Sequence, residues 1–162
     1  MPGPLAGIRV IDASAVVSGP FATMMLADQG ADVIKIEAPG YGDVMRTGPI
    51  RRGGEVAFFI NCNRNKRSIV VDLQQQEGRE IVQELVRDAD VFVQNWRPGA
   101  AERLGLGWEE LSSINPRLVH CSVSGYGPDG PYSQRRVYDP IIQGLTGHVH
   151  GGIGKLAWGL TD

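Results

Sequence analysis

Cysteine is scarce in this 162-residue chain, which holds only Cys62 and Cys121, too few for a disulfide-stapled secreted scaffold. Long apolar runs are missing as well, and none approaches the ~20 residues that a membrane-spanning helix requires. Neither sign of charge dominates: 16 Lys and Arg stand against 18 Asp and Glu, for a net charge of −2. No overall field therefore draws the chain to nucleic acid, although a local basic cluster can still hold a small anion. The first residues lack the basic, apolar, small-residue order of a secretory leader. Together these absences predict a soluble cytoplasmic protein that engages neither membrane nor nucleic acid.

Glycine is the residue in excess, with 22 copies, about twice the usual share of roughly 7%. The glycines fall at the ends of apolar runs and not in a repeat, as tight strand-to-helix turns require. Apolar residues make up 42% and charged residues 21% of the chain, the balance of an ordinary globular protein. A chain of this length buries roughly 70% of its unfolded surface, enough for one domain with a sizeable core.

Gly7 to Asp12 is a short β-branched run, and Pro20 to Gln29 has helical composition. Pro20 suits a first helical turn and Gly30 the position just past a helix end. Asp32 to Glu37 then reads as a second strand, completing a βαβ unit. Residues 38–67, rich in glycine, proline and arginine, carry little periodic apolar pattern, and so long a connection is usually functional or mobile. Strand signal returns at Ser68 to Asp72, Asp90 to Gln94 and Leu118 to Ser124. Helical signal lies between these runs at Glu80 to Val86, Ala100 to Leu104 and Glu109 to Ser113, and again at Ile141 to Leu145. Five strands alternating with helices predict an α/β doubly wound sheet.

Ligands in such a sheet sit beyond the carboxyl ends of the strands. The loop Ala13 to Pro20 ends at a helix start that is either an oxyanion or phosphate site or an ordinary helix beginning. It lacks GxGxxG, which disfavours dinucleotide binding. Asn61 to Ser68 packs three cations and three amides into eight residues; it reads as an anion-contact segment or as a solvated charge run. Trp96, Arg97 and Arg103 resemble an adenine-nucleotide pocket, with Trp96 as core filling the competing account. His120, His148 and His150 do not form a metal set with the cysteines, so no metal is expected. Asp139, before an apolar segment, reads as a helix N-cap or as a site carboxylate. Asp162, the last residue, reads on its own as a frayed terminus.

Several blocks resemble the class III CoA-transferases, the family of formyl-CoA transferase, the carnitine CoA-transferases and α-methylacyl-CoA racemase. They are PLAGIRVIDASAVVSGPFATMMLADQGADVIKIEAPGYGD (Pro4 to Asp43), NRNKRSIVVDL (Asn63 to Leu73), EGR (Glu77 to Arg79), ADVFVQNWRPGAAERLGLGWEEL (Ala89 to Leu111), NPRLVHCSVSGYGPDGPY (Asn115 to Tyr132) and YDPIIQGLTG (Tyr138 to Gly147).

The resemblance implies a Rossmann-like, mostly parallel open sheet with helices on both faces, truncated relative to the full family. It implies a coenzyme A-binding domain over residues 1–147, with 148–162 beginning the connection to a second domain that is missing here. Coenzyme A contacts are implied at Val17 and Ser18, at Val71, Asp72, Leu73 and Gln74, and at Asn95, Trp96 and Arg97. Others are implied at Arg103 and at Arg135, Arg136, Val137 and Tyr138, while Ala38 replaces an arginine that some members use.

The family's transferases use an aspartate nucleophile, for which Asp162 is the candidate. Racemases place acid/base chemistry at the position of Asp139, but Val137-Tyr138-Asp139 stands here in place of their Gly-His-Asp, which favours transfer. The implied substrates are an acyl-CoA and a carboxylic acid, and the implied assembly is a homodimer. A coenzyme A-binding or dimerisation module without turnover is the remaining reading.

Overall fold

The computed structural model describes residues 2–148. Its central sheet contains β1 (Arg9–Asp12), β2 (Asp32–Glu37), β5 (Lys66–Val70), β6 (Val91–Gln94) and β7 (Val119–Ser122). The spatial order is β5-β2-β1-β6-β7, and every neighbouring pair is parallel. The chain thus builds outward from β1 to one edge, returns to the other side of β1 and builds outward again. This is the Rossmann-like α/β arrangement expected from the sequence, with its order reversing between β1 and β6.

Parallel strands need helical crossovers, which cover both faces and make the buried strands apolar on both sides. Val10, Val33 and Val93 pack with Ala27 and Ala31 on the face of α1 (Ser18–Asp28). Their neighbours Ile11, Ile34 and Phe92 point the other way, into a second core with Val82 and Val86 of α3 (Gln76–Arg87) and Leu111 of α5 (Trp108–Ile114). Val10, Ile11 and Phe92 are fully enclosed, each burial removing roughly 1.5–3 kcal/mol of apolar exposure. Pro20 lies in the first turn of α1, and Gly30 follows its end at φ +99°, both as expected. The short α4 (Ala100–Arg103) and α6 (Asp139–Leu145) complete the main elements. The two cysteines are free.

Two expectations shift. The third sheet strand runs over Lys66–Val70 and not over 68–72. Its charged first residues are strand residues because Lys66 pairs with Val33 and Arg67 with Ile34 in the ladder, while their side chains reach carboxylates on β1 and β2. The connection from 38 to 65 is also ordered. It holds a 3-10 turn at Val44–Thr47, the hairpin β3 (Arg51–Arg52) and β4 (Glu55–Val56), and α2 (Ala57–Asn63). Elements of two to seven residues are too short to show a hydrophobic period.

Candidate functional site

The loops after β1, β6 and β7 open on a cleft of about 420 Å³ at the reversal of strand order, the place where open α/β sheets receive ligands. Ala15, Val16, Val17 and Ser18 form one wall, and Asn95, Trp96, Arg97 and Pro98 a second. The returning segment Arg135–Asp139 closes a third. That segment comes close because residue 125 is glycine: a Cβ there would lie 2.1 Å from a Val137 methyl carbon.

The first wall is held by buried polar groups. The carboxylate of Asp12 accepts from the Ser14 N–H at 3.0 Å, the Thr23 hydroxyl at 2.8 Å and Lys66 Nζ at 2.8 Å. The Ser14 hydroxyl donates to it as well. Burial alone pushes the Asp12 carboxyl up, but the charges of Lys35 and Lys66, with hydrogen bonds from Lys66 and Ser14, outweigh it and leave the group below its ordinary value. Burial lowers the Lys66 ammonium, against the pull of Asp12. The Asn95 amide grips Ala15 twice, accepting from its N–H at 2.9 Å and donating to its carbonyl at 2.7 Å. Val16 sits at φ +71°, a conformation that costs a β-branched residue energy.

The other walls carry charge and aromatic surface. Trp96 meets Phe92 edge-on, with ring centroids 6.3 Å apart, and also lines the cleft, so this indole packs on the core and faces the cleft at once. Arg97, Arg135 and Arg136 line the rim, exposed to solvent. The Arg135 guanidinium lies 4.1 Å over the Tyr132 ring. Among the described residues none of the three has a carboxylate partner. Tyr138 is 68% exposed, whereas the neighbouring Asp139 is 3% exposed and accepts from Gln143 Nε2 at 2.8 Å. Asp139 is not the N-cap of α6: that position falls on Tyr138, and no side chain caps the helix.

Val17, Ser18, Asn95, Trp96, Arg97, Arg135, Arg136, Val137, Tyr138 and Asp139 therefore share one cleft. Val71, Asp72, Leu73 and Gln74 do not line it; they follow β5, two strands away from β1. Val71 packs in the core, and the Leu73 and Gln74 carbonyls accept from Arg79 Nη1 at 3.1 and 3.0 Å. Arg103 is exposed on α4 and also stands outside the lining. Asp162 lies outside the described residues. Among those residues no group of three His, Cys, Asp or Glu side chains is placed to hold a metal ion, and no helix is long and apolar enough to cross a membrane.

The three cations of the segment Asn61 to Ser68 all meet carboxylates of the fold. Arg64 pairs with Asp28, Lys66 with Asp12 and Arg67 with Asp32, so its cations are neutralised within the fold. Sequence reasoning named the loop Ala13 to Pro20 without singling out Ala15 and Val16, and it gave Asp43 no part in the site. A valine at positive φ has no sequence signal, and the role of Asp43 arises from contacts with residues 16 and 35.

Comparison with known proteins gives a consistent result. The family model described as CoA-transferase family III matches residues 5–156. The human succinyl-CoA:glutarate CoA-transferase is 45% identical over 148 residues, covering 91% of this chain and 34% of that protein. The acetyl-CoA:oxalate CoA-transferase of Acetobacter aceti is 47% identical over 145 residues, covering 90% and 37%. The crystal structure of a CAIB/BAIF family protein from Brucella suis superposes with a TM-score of 0.86 at 45% identity, covering 91% of this chain and 40% of that one. The chain spans about a third of the length of the curated relatives it matches.

Proposed function

The chain belongs to CoA-transferase family III, and from that premise we propose that its cleft binds an acyl-CoA from which coenzyme A is moved to a carboxylic acid. The observation that carries this reading is the rim of Arg97, Arg135 and Arg136, three guanidiniums with no carboxylate partner among the described residues, beside Trp96 and Tyr138 at the reversal of strand order. Guanidiniums suit phosphate and the aromatic rings suit adenine. In this reading Val17 and Ser18 present the first turn of α1 to the ligand. Val71 to Gln74 and Arg103 serve parts of the extended nucleotide that leave the cleft; two strand spacings, roughly 10 Å, separate β5 from β1.

The covalent step is assigned to Asp162. Its carboxylate attacks the thioester carbonyl and expels the coenzyme A thiolate, leaving a mixed anhydride. The thiolate then attacks the aspartyl carbonyl and releases the donor acid, forming an aspartyl thioester. The acceptor carboxylate reverses these steps and leaves as the new acyl-CoA. Residues 1–147 act as the coenzyme A-binding domain, residues 148–162 begin the connection onward, and the working enzyme is a cytoplasmic homodimer.

Calorimetric titration of the chain with coenzyme A tests the binding half. Heat that saturates in the unaltered chain and disappears in the Arg97→Ala/Arg135→Ala/Arg136→Ala variant supports it, and equal binding by both refutes it. Hydroxylamine trapping with acyl-CoA present tests the chemical half; a hydroxamate on any residue other than Asp162 removes the assignment. A second reading, exchange of the proton beside the thioester carbonyl by Asp139, is favoured by the burial of that carboxylate in the cleft wall. Deuterium wash-in at the α-carbon without an acceptor acid distinguishes it from transfer. Coenzyme A binding with neither reaction would leave a binding or dimerisation module.

A further inference from the structure

We infer that Asp43, which does not line the cleft, is the positioning residue that holds its β1–α1 wall in a binding-competent shape; the inference rests on the coenzyme A reading of the cleft. The wall cannot set itself. Val16 faces the cleft at φ +71°, a backbone state that a β-branched side chain resists and that persists only where neighbours impose it.

Three side chains impose it, one on each successive residue. Lys35 Nζ donates to the Ser14 carbonyl at 2.8 Å, Asn95 clamps Ala15, and Asp43 Oδ1 accepts from the Val16 N–H at 3.3 Å. Asp43 supports two of these three holds. Its Oδ2 lies 3.0 Å from Lys35 Nζ, in a pair whose side chains are each 1% exposed. Without that carboxylate, the buried ammonium holding Ser14 would lose its direct ion pair.

Asp43 is in turn fixed from the 38–65 connection. Its N–H donates to Glu37 Oε2 at 3.1 Å, and its Oδ1 also accepts from the Met45 N–H at 2.9 Å. Glu37 is gripped by Arg46 through two bonds of 2.7 and 2.8 Å. A contiguous chain of charged hydrogen bonds therefore runs from an excursion beside β2 to the wall of the cleft. Asp43 reaches the ligand only through the Val16 backbone and through Lys35.

The experiment combines a double-mutant cycle in coenzyme A affinity with proton–nitrogen NMR of the ligand-free chain. Asp43→Asn in the unaltered chain should weaken coenzyme A about tenfold, as expected for loss of a charged hydrogen bond. Val16→Gly sets a new baseline, whatever the lost isopropyl group contributes. On that baseline Asp43→Asn should cost clearly less, about threefold, because glycine needs no carboxylate to remain left-handed and only the hold through Lys35 is left to lose. Equal losses in both backgrounds would mean that Asp43 only stabilises the fold, and would overturn the inference.

Asp43→Glu keeps the charge opposite Lys35 but moves the acceptor, so it serves if the asparagine variant does not fold. It should move the Val16 amide resonance and its HN–Hα coupling away from the left-handed state, and unchanged values would overturn the inference. These NMR readings need no ligand. If the unaltered chain binds no coenzyme A, the proposed function fails on its own, while the coupling still decides whether Asp43 sets Val16.

Discussion

The half of the sheet around β2 and β5 and the cleft beside β1 and β6 both display basic residues, and they use them in opposite ways. In the first, Arg9, Lys35, Arg46, Arg64, Lys66 and Arg67 all meet a carboxylate within the fold. In the second, Arg97, Arg135 and Arg136 meet none among the described residues. A cation already neutralised by a neighbour offers little to an anion, whereas one left in solvent at a cleft retains its donors for a ligand. Local density of positive charge is thus a poor guide to a site; what counts is which cations the fold leaves without partners.

The sharpest way to break this contrast is Lys66→Ala. It leaves Asp12, fully enclosed, without its nearest counter-ion, and should cost about 3–5 kcal/mol of stability, measured by urea unfolding. A variant as stable as the parent would show that the β2/β5 charges are not structural. The complementary change, Arg97→Ala/Arg135→Ala/Arg136→Ala, should weaken coenzyme A by ~100-fold, about 3 kcal/mol, while leaving the unfolding midpoint where it was. A large loss of stability instead would make the rim arginines structural too.

Acid should act on the first region before the second. Burial pushes the Glu37 carboxyl up, but hydrogen bonds from Arg46, Ser68 and the Asp43 N–H, with the Arg46 charge, outweigh it and bring the group down to about 2. A carboxyl held below its ordinary value stabilises the fold fully above that value and loses the contribution as pH falls through the folded one. The expected loss is roughly 2–3 kcal/mol, spread between about pH 4.5 and about pH 2. Glu37→Gln should flatten this limb of the stability profile, and an unchanged limb would assign acid sensitivity elsewhere. The smallest effect belongs to Arg67→Ala. Its Asp32 pair is largely solvated, with Arg67 64% exposed, and should be worth under about 1 kcal/mol in a melting experiment; a larger value would blur the line between structural and surface pairs.

Much of the fold was legible because its strands are apolar on both faces. Val10-Ile11 and Val91-Phe92-Val93 are runs that suit a parallel sheet covered on both faces. The turn residues Pro20 and Gly30 marked the ends of α1 for equally local reasons. The 38–65 connection was not legible, because a two-residue hairpin strand and a seven-residue helix present no period. In the site, Trp96, Arg97 and Asp139 stood out from the residues themselves and Arg135 to Tyr138 from the family resemblance, and all of them meet in one cleft. The pairing of the cations of Asn61 to Ser68 was not legible, because their partners Asp12, Asp28 and Asp32 are 35 to 54 residues away along the chain.

By itself, the sequence determined the alternation of strands and helices and the family of this chain, since both reside in local composition and ordered blocks of residues. Only the tertiary structure decided which charges are consumed internally, that Asn95 grips Ala15, and that Val16 is held left-handed beside the cleft. Those outcomes depend on groups brought together by the parallel pairing of β1 with β2 and β6, and energies of pairing exist only once that sheet has formed.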